Sequence, residues 1–287
     1  MTALPLPLLL AAVAALSWSF CDLTRRILAR RMPAWALSVW VTLGALPLLV
    51  VWCVEQGAWW IEPAAYLAPG LGAIGINLFA NFAFFRSLQL APLSVTLPML
   101  SLTPAFSLGL GALFLGERLE SRALAGAGLV VAGAFLLAWR RAGGEVWRFE
   151  PGSLLMGLVA LAWSMTLLLD KVAMGHAAPP LHALIVHGGV ALAGLAVLVA
   201  RRELASLGSI RGSGGLLAAT VAFSVLAFGA QLYAVRDLPI GLVDTIKRAV
   251  GGALAVVWDR AFFGEPVTAG KLAAVALLSA GVALLTL

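Results

Sequence analysis

"LFLGERLESRALAGAGLVVAGAFLLAW" (residues 113–139) and "AFFGEPVTAGKLAAVALLSAGVALLTL" (residues 261–287) read as two copies of one segment. Each carries a Gly-Glu pair, with Glu117 matching Glu265, and runs on into a long apolar stretch in which Gly133 matches Gly281. Working outward gives two more matches in the same order. "LSWSFCDLTRRIL" (16–28) aligns with "LAWSMTLLLDKVA" (161–173), pairing Trp18 with Trp163, Ser19 with Ser164 and Arg26 with Lys171. "FAFFRSL" (82–88) aligns with "LYAVRDL" (232–238) through Arg86 and Arg236. The offsets are 145, 150 and 148. Three matches in one order at nearly one spacing imply duplication.

The material of the copies decides their solvent. The chain is 62% hydrophobic and 11% charged, with mean hydropathy +1.02, whereas soluble domains carry about 25% charged residues. It reads as an integral membrane protein. A hydrocarbon core about 30 Å thick takes roughly 20 apolar residues as helix. Ten such runs are present, centred near Ala15, Leu46, Gly75, Ser107, Val131, Leu161, Val190, Ala222, Gly251 and Leu278. A β-barrel would instead show alternating segments of about ten residues. The opening "MTALPLPLLLAAVAALS" lacks a basic leader and stays apolar through "WSFCDL", so a first span is expected there rather than a signal peptide. The formal charge of +6 and pI of 10.1 do not imply nucleic acid, because Lys and Arg fall in short clusters between apolar runs. Cys21 and Cys53 sit inside apolar runs far apart in sequence and read as small buried hydrophobes.

The expected fold is all-α and membrane-integral, with ten transmembrane helices arranged as two inverted five-helix repeats, residues 1–142 and 150–287. The polar loops 140–153 and 201–215 are ordinary connections. An odd number of spans per copy makes the second copy enter the membrane from the opposite side, the arrangement many secondary transporters use for alternating access. Connections after odd-numbered helices carry thirteen Lys and Arg, and the other side carries four: Arg118, Arg122, Lys171 and Arg236. The positive-inside rule then puts the thirteen in the cytoplasm and both termini outside.

These residues resemble the drug/metabolite transporter superfamily, in its ten-helix form with paired EamA-type halves. The carriers are the "WS" pairs at Trp18 and Trp163, the "FLGERL" and "FFGEPV" turns, and the small-residue helices after them. The resemblance implies a multi-pass secondary exporter or exchanger of metabolites, amino acids, nucleotide sugars, sugar phosphates or drugs in a cell membrane, here a bacterial inner membrane. It also implies cytoplasmic termini, opposite to the charge count. "IKR" at 246–248 is similar to the Lys-Arg pair that members exchanging phosphorylated solutes carry on the ninth helix.

That pair lies in "LVDTIKRAVGGALAVVW" (242–258). Asp244, Lys247, Arg248, Gly251 and Ala255 follow i, i+3, i+4, i+7, i+11 spacing and share one face of a helix. A charge at the bilayer centre costs roughly 2.5–3.5 kcal/mol on insertion scales, so such a face is expected to line a cavity. Two roles stand open. Asp244 can neutralise its neighbours locally as a structural cluster, or Lys247 and Arg248 can attract an anionic substrate group with Asp244 as counter-ion. Trp18 and Trp163 are candidate aromatic walls. Asn77, Asn81, Gln231 and Tyr233 are polar groups in apolar runs that either bond between helices or line the path. The other tryptophans, among them Trp59, Trp60 and Trp139, read as interfacial belt residues.

Asp22 with Arg26, and Asp170 with Lys171, are expected to pair locally. Glu117 and Glu265 are expected to cap helix junctions. His176, His182 and His187 do not share a helical face, which disfavours a metal site. Pro92, Pro98 and Pro104, against Pro239, Gly251 and Gly252, suggest broken or bendable helices in matching halves. Gly128 with Ala132 suggests a close-packing face on the fifth helix. A membrane enzyme lacks support, since neither HExxH nor GxSxG occurs; a lipid or lipid-linked-sugar flippase of the same fold remains the alternative. No Walker A motif and no cofactor motif appears. Expected partners are a small-molecule solute, membrane lipid and a coupling proton, not nucleic acid, for a monomer or homodimer.

Overall fold

The structure, a computed structural model, describes residues 5–90, 99–118, 120–141, 151–263 and 267–286. Among them the helices are α1 (Leu6–Ala29), α2 (Ala34–Gln56), α3 (Pro63–Leu90), α4 (Thr103–Leu115), α5 (Ser121–Arg141), α6 (Pro151–Ala173), α7 (Pro179–Ala200), α8 (Gly214–Asp237), α9 (Ile240–Phe263) and α10 (Ala269–Thr286). A 3-10 turn over Leu204–Ile210 precedes α8. Every apolar centre read from the sequence falls inside one of these helices. Proline opens several of them, at Pro7, Pro63 and Pro179, where its missing N–H costs no helical bond. Glycine closes α2 and α4: Gly57 and Gly116 take φ of 57° and 65°, the left-handed conformation that ends a helix without strain.

Six of the helices, α1, α2, α3, α6, α7 and α8, are long and apolar enough to cross a membrane. α4 is not. Its 13 residues rise about 20 Å at 1.5 Å each, short of a core about 30 Å thick. Met99 and Leu100 are helical, Ser101 and Leu102 form a turn, and α4 restarts at Thr103 with Pro104 in its first turn. The expected break is therefore present in the first half, while Pro92 and Pro98 lie outside the described residues. It has no counterpart in the second half. α9 is an unbroken helix of 24 residues through Gly251 and Gly252, because glycine keeps its backbone hydrogen bonds and Pro239 stands before the helix begins.

The duplication is visible in the packing. α1 packs on α8 and α3 on α6; α1 also packs on α9 and α4 on α6; α2 packs on α7, α4 on α9 and α5 on α10. Exchanging the two halves leaves these pairings unchanged. The ends alternate as well. Leu28 and Met32, at the end of α1, cluster with Leu207 and Ile210 of the α7–α8 connection, and Trp40 Nε1 donates to Leu207 O. At the opposite end, Tyr233 donates to Gln56, and the α2–α3 connection bridges to the α6–α7 connection through Ile61 and Ala177. The repeat mates α1 and α6 therefore finish at opposite ends.

The outside of the bundle is as apolar as the inside. Leu113 is 80% exposed, Leu192 69% and Phe114 68%, a surface that suits lipid tails and would aggregate in water. Inside, small residues set the helix spacing, with Ala11, Ala14 and Ala15 wholly buried along α1.

A close backbone approach joins α5 to α10, and it uses a duplicated pair. A Cβ on Gly281 would stand 2.7 Å from Gly126 O and Val130 Cγ2, and one on Gly133 would stand 2.9 Å from Ala274 O. The expected close-packing face at Gly128 and Ala132 is instead exposed, with nothing within 4 Å of a Cβ added at Gly128. A helix offers its neighbour only one stripe, and here Gly126, Val130 and Gly133 occupy it. Gly281→Ala or Gly133→Ala is expected to destabilise the protein by about 1–3 kcal/mol through overpacking, read as a lower melting temperature in detergent, while Gly128→Ala leaves it unchanged.

Candidate functional site

A cavity of about 300 Å³ lies where α1, α2, α3, α6, α7, α8 and α9 meet, with Leu100 and Ser101 of the interrupted segment also on its wall. Small residues make the room. Gly251 and Ala255 on α9 and Ala15 on α1 leave space that larger side chains would fill, with nothing within 4 Å of a Cβ added at Gly251.

Lys247 and Arg248 line this cavity, as their helical spacing indicates, together with Gly251 and Ala255. Asp244 does not. It lies one turn behind, 1% exposed, accepting a hydrogen bond of 2.8 Å from Ser107 Oγ and an ion pair of 3.5 Å from Lys247 Nζ. Asp244 is thus the buried anchor of Lys247 and no part of the wall. Both roles left open by the sequence have support: Asp244 is a counter-ion to Lys247, which still lines the cavity, and the Nε of Arg248, like that of Arg25 on the same wall, is buried without a hydrogen-bond partner. A buried donor with no acceptor in the protein is uncommon, and at a cavity wall it is a grip for an incoming oxygen.

Trp18 and Trp163 both reach the cavity. Trp18 Nε1 donates to Gln231 Oε1 at 3.0 Å, so α1 and α8 are joined by two wall residues at once. Trp163 packs on Phe84, with ring centroids 5.2 Å apart. Asn77 lines the cavity and returns one amide hydrogen bond to Ala73 O within its own helix, and Asn81 lines it one turn on. Tyr233 faces elsewhere. Its hydroxyl donates to Gln56 at an exposed bundle end and its ring meets Trp52 edge-on. It sits two residues beyond Gln231, which turns it to another face of α8.

Several wall residues escaped the sequence reading. Asp22 was read as a local partner of Arg26, not as a wall residue. It stands on the wall within electrostatic range of Arg25, Lys247 and Arg248. Arg25 lies inside α1 over the Trp18 ring, at 5.3 Å from its centroid. Trp258, grouped with the belt, lines the cavity and donates to Ser19 Oγ at 3.0 Å. Its signal was available, since residue 258 continues the stripe from 251 and 255. His187 had none, because nothing in sequence ties α7 to the wall.

The wall carries Arg25, Arg26, Lys247 and Arg248 against Asp22 and Asp170. The local pair expected between Asp170 and Lys171 does not form; Asp170 Oδ1 lies 3.0 Å from His182 Nε2. Lys171 reaches across to Glu117 Oε1 at 2.7 Å and Leu238 O at 2.8 Å. Successive residues on a helix diverge by about 100°, so they serve different neighbours. Glu117 also accepts from the Ile240 N–H, and so it caps α9 rather than its own junction. Glu265 lies outside the described residues, as does the side chain of Trp139.

Helices that expose leucine and phenylalanine outward and enclose a charged, aromatic-walled cavity inward define a multi-pass membrane transporter. The chain belongs to the EamA-like transporter family, whose profile matches residues 5–139 and 150–287. It is accordingly a transporter of small solutes and has the family's two-copy organisation. A solved structure titled only as the crystal structure of a protein shares the fold, with a TM-score of 0.78 and 19% identity over 96% of this chain and 95% of its own. No curated protein matches the sequence.

Asp244→Asn keeps the shape and the Ser107 contact but leaves Lys247 without its counter-ion. Breaking a buried pair in this way is expected to cost about 3 kcal/mol, measured as lost thermal stability of the purified protein.

Proposed function

We propose that the protein is a secondary active transporter, an exporter or exchanger, of a small organic solute bearing an anionic group. The solute binds the central cavity with its negative group on Lys247 and Arg248 and its body between Trp18 and Trp163. The observation that carries this reading is the unpartnered Arg248 Nε at a wall where basic groups outnumber acidic ones. A planar guanidinium offers a carboxylate or phosphate two parallel donors, which suits it to this task better than lysine.

Transport proceeds by alternating access between two five-helix units, 1–142 and 150–287, inverted with respect to each other in the bilayer. The opposed ends of α1 and α6 support the inversion, and the exchange-symmetric packing supports two equivalent ways of closing the bundle. In the conformation described, the wall extends towards the end where α1 and α9 finish, the end that carries most Lys and Arg. By the positive-inside rule that end is cytoplasmic, and the state is inward-facing.

A thermal-shift screen of the purified protein against carboxylates, organophosphates and cationic drugs is expected to single out anions, since a ligand at about 100 times its Kd adds roughly 2.7 kcal/mol. In proteoliposomes loaded with the best of these, Arg248→Ala and Lys247→Ala abolish uptake and Arg248→Lys retains part of it. Normal uptake by both alanine variants removes the assignment.

A further inference from the structure

Solute binding leaves one buried polar group set unused, at the floor of the cavity. Asp170 lines the cavity from the last turn of α6. Its Oδ1 stands 3.0 Å from His182 Nε2, and His182 Nδ1 stands 2.8 Å from the Tyr66 hydroxyl. All three side chains are buried, His182 completely. At its far end Tyr66 packs on Ala173 and Ala177, beneath the bridge between Ile61 and Ala177. Around that bridge the Glu62 N–H donates to His176 O, the Ala178 N–H donates to Trp60 O, and Glu62 meets His176 at 2.9 Å. The hydrogen-bonded chain from the cavity therefore ends in an aromatic ring packed beneath the contacts that join the two connections at the opposite end.

We propose that Asp170 and His182 form the proton-binding site of this transporter: one labile proton held by the pair keeps the Ile61–Ala177 closure shut, and its loss favours opening. This rests on the alternating-access reading above. With the proton bound, imidazolium and carboxylate carry no net charge, Nε2–H donates to Asp170 and Nδ1–H donates to the Tyr66 oxygen. With the proton released to water, Nε2–H still donates to Asp170 and the bare Nδ1 accepts from the Tyr66 O–H. A hydroxyl both gives and takes hydrogen bonds, so neither state leaves a ring nitrogen without a partner. What changes is net charge. The deprotonated pair leaves one net negative charge at the cavity floor, with the basic groups of the wall across the cavity rather than bonded to it, a charge that is costly there until the loops part and admit water.

Other groups around the pair are otherwise engaged. Lys171 is held by Glu117, and His176 with Glu62 lies at the exposed surface. His187, further along α7, bonds to its own helix through Ala183 O. Across the cavity Asp22, Arg25, Lys247 and Arg248 share the wall with Asp170, and Asp244 stands behind Lys247. The site is also unduplicated: at the offset of 145, Arg25 is the mate of Asp170 and Leu37 the mate of His182. A proton site present in one half alone biases one end of the cavity only.

The test places spin labels on Trp59→Cys and Gly175→Cys, both exposed beside the bridge, in the full chain with Cys21 and Cys53 replaced by alanine. Distances are measured in lipid nanodiscs from about pH 5 to about pH 9. The fraction at longer distance is expected to rise at least threefold as the pH increases. Asp170→Asn and His182→Gln flatten this response and Asp170→Glu keeps it with a moved midpoint, whereas a response that His176→Gln flattens in their place overturns the assignment. The proposal is overturned if Asp170→Asn and His182→Gln titrate like the parent, or if the parent shows two distance populations that ignore pH. A single population under every condition, anionic solutes included, overturns alternating access itself and the proton site with it.

Discussion

A charge placed in hydrocarbon has neither water nor counter-ion, and the protein must supply one or the other. Every ionised group inside this bundle can be read as an answer to that demand. Lys247 is held by Asp244, which Ser107 holds in turn, and Lys171 is held by Glu117 and the Leu238 carbonyl. Asp170 is held by His182. The remaining charges, Asp22, Arg25 and Arg248 among them, border a cavity that gives them room for water or for a polar guest. The cavity and the ion pairs are one electrostatic arrangement, and a transporter needs both, since a site that binds must also be able to empty.

The duplication explains how such a cavity arises between units that cannot close on themselves. Each half gives its first and third helices to the other half, α1 to α8 and α6 to α3, so the seam between copies runs through the centre of the molecule. Departures from symmetry fall at the cavity. The first half interrupts its chain at Ser101–Leu102, beside the cavity, where the second half keeps α9 whole and loads it with Lys247 and Arg248. Arg25 occupies the position in the first copy that Asp170 fills in the second, so matching sites carry opposite charge.

Much of the candidate site was legible because helical periodicity is a rigid rule. The stripe of Lys247, Arg248, Gly251 and Ala255 needed only 3.6 residues per turn, and all four line the cavity. Trp18 and Trp163 were legible through the repeat, and Asn77, Asn81 and Gln231 through the cost of a bare amide in lipid. The same rules misjudged Tyr233 and Asp244. A polar residue in an apolar run must find a partner, yet nothing in its neighbours along the chain tells whether that partner is a cavity, Gln56 at the rim or Ser107 behind the wall. Asp170 was assigned to its sequence neighbour and instead bonds to His182, brought to it by the return of the chain through α7.

By itself the sequence determined the solvent, the helical class, the positions of the apolar segments and their duplication, since these depend on composition and on order along one chain. Tertiary structure alone decided which stripe of each helix meets its partner, which charges are locked and which are left facing the cavity. Those outcomes turn on distances of a few ångströms between residues more than a hundred positions apart, and the energy of a buried charge is set by whatever stands at that distance.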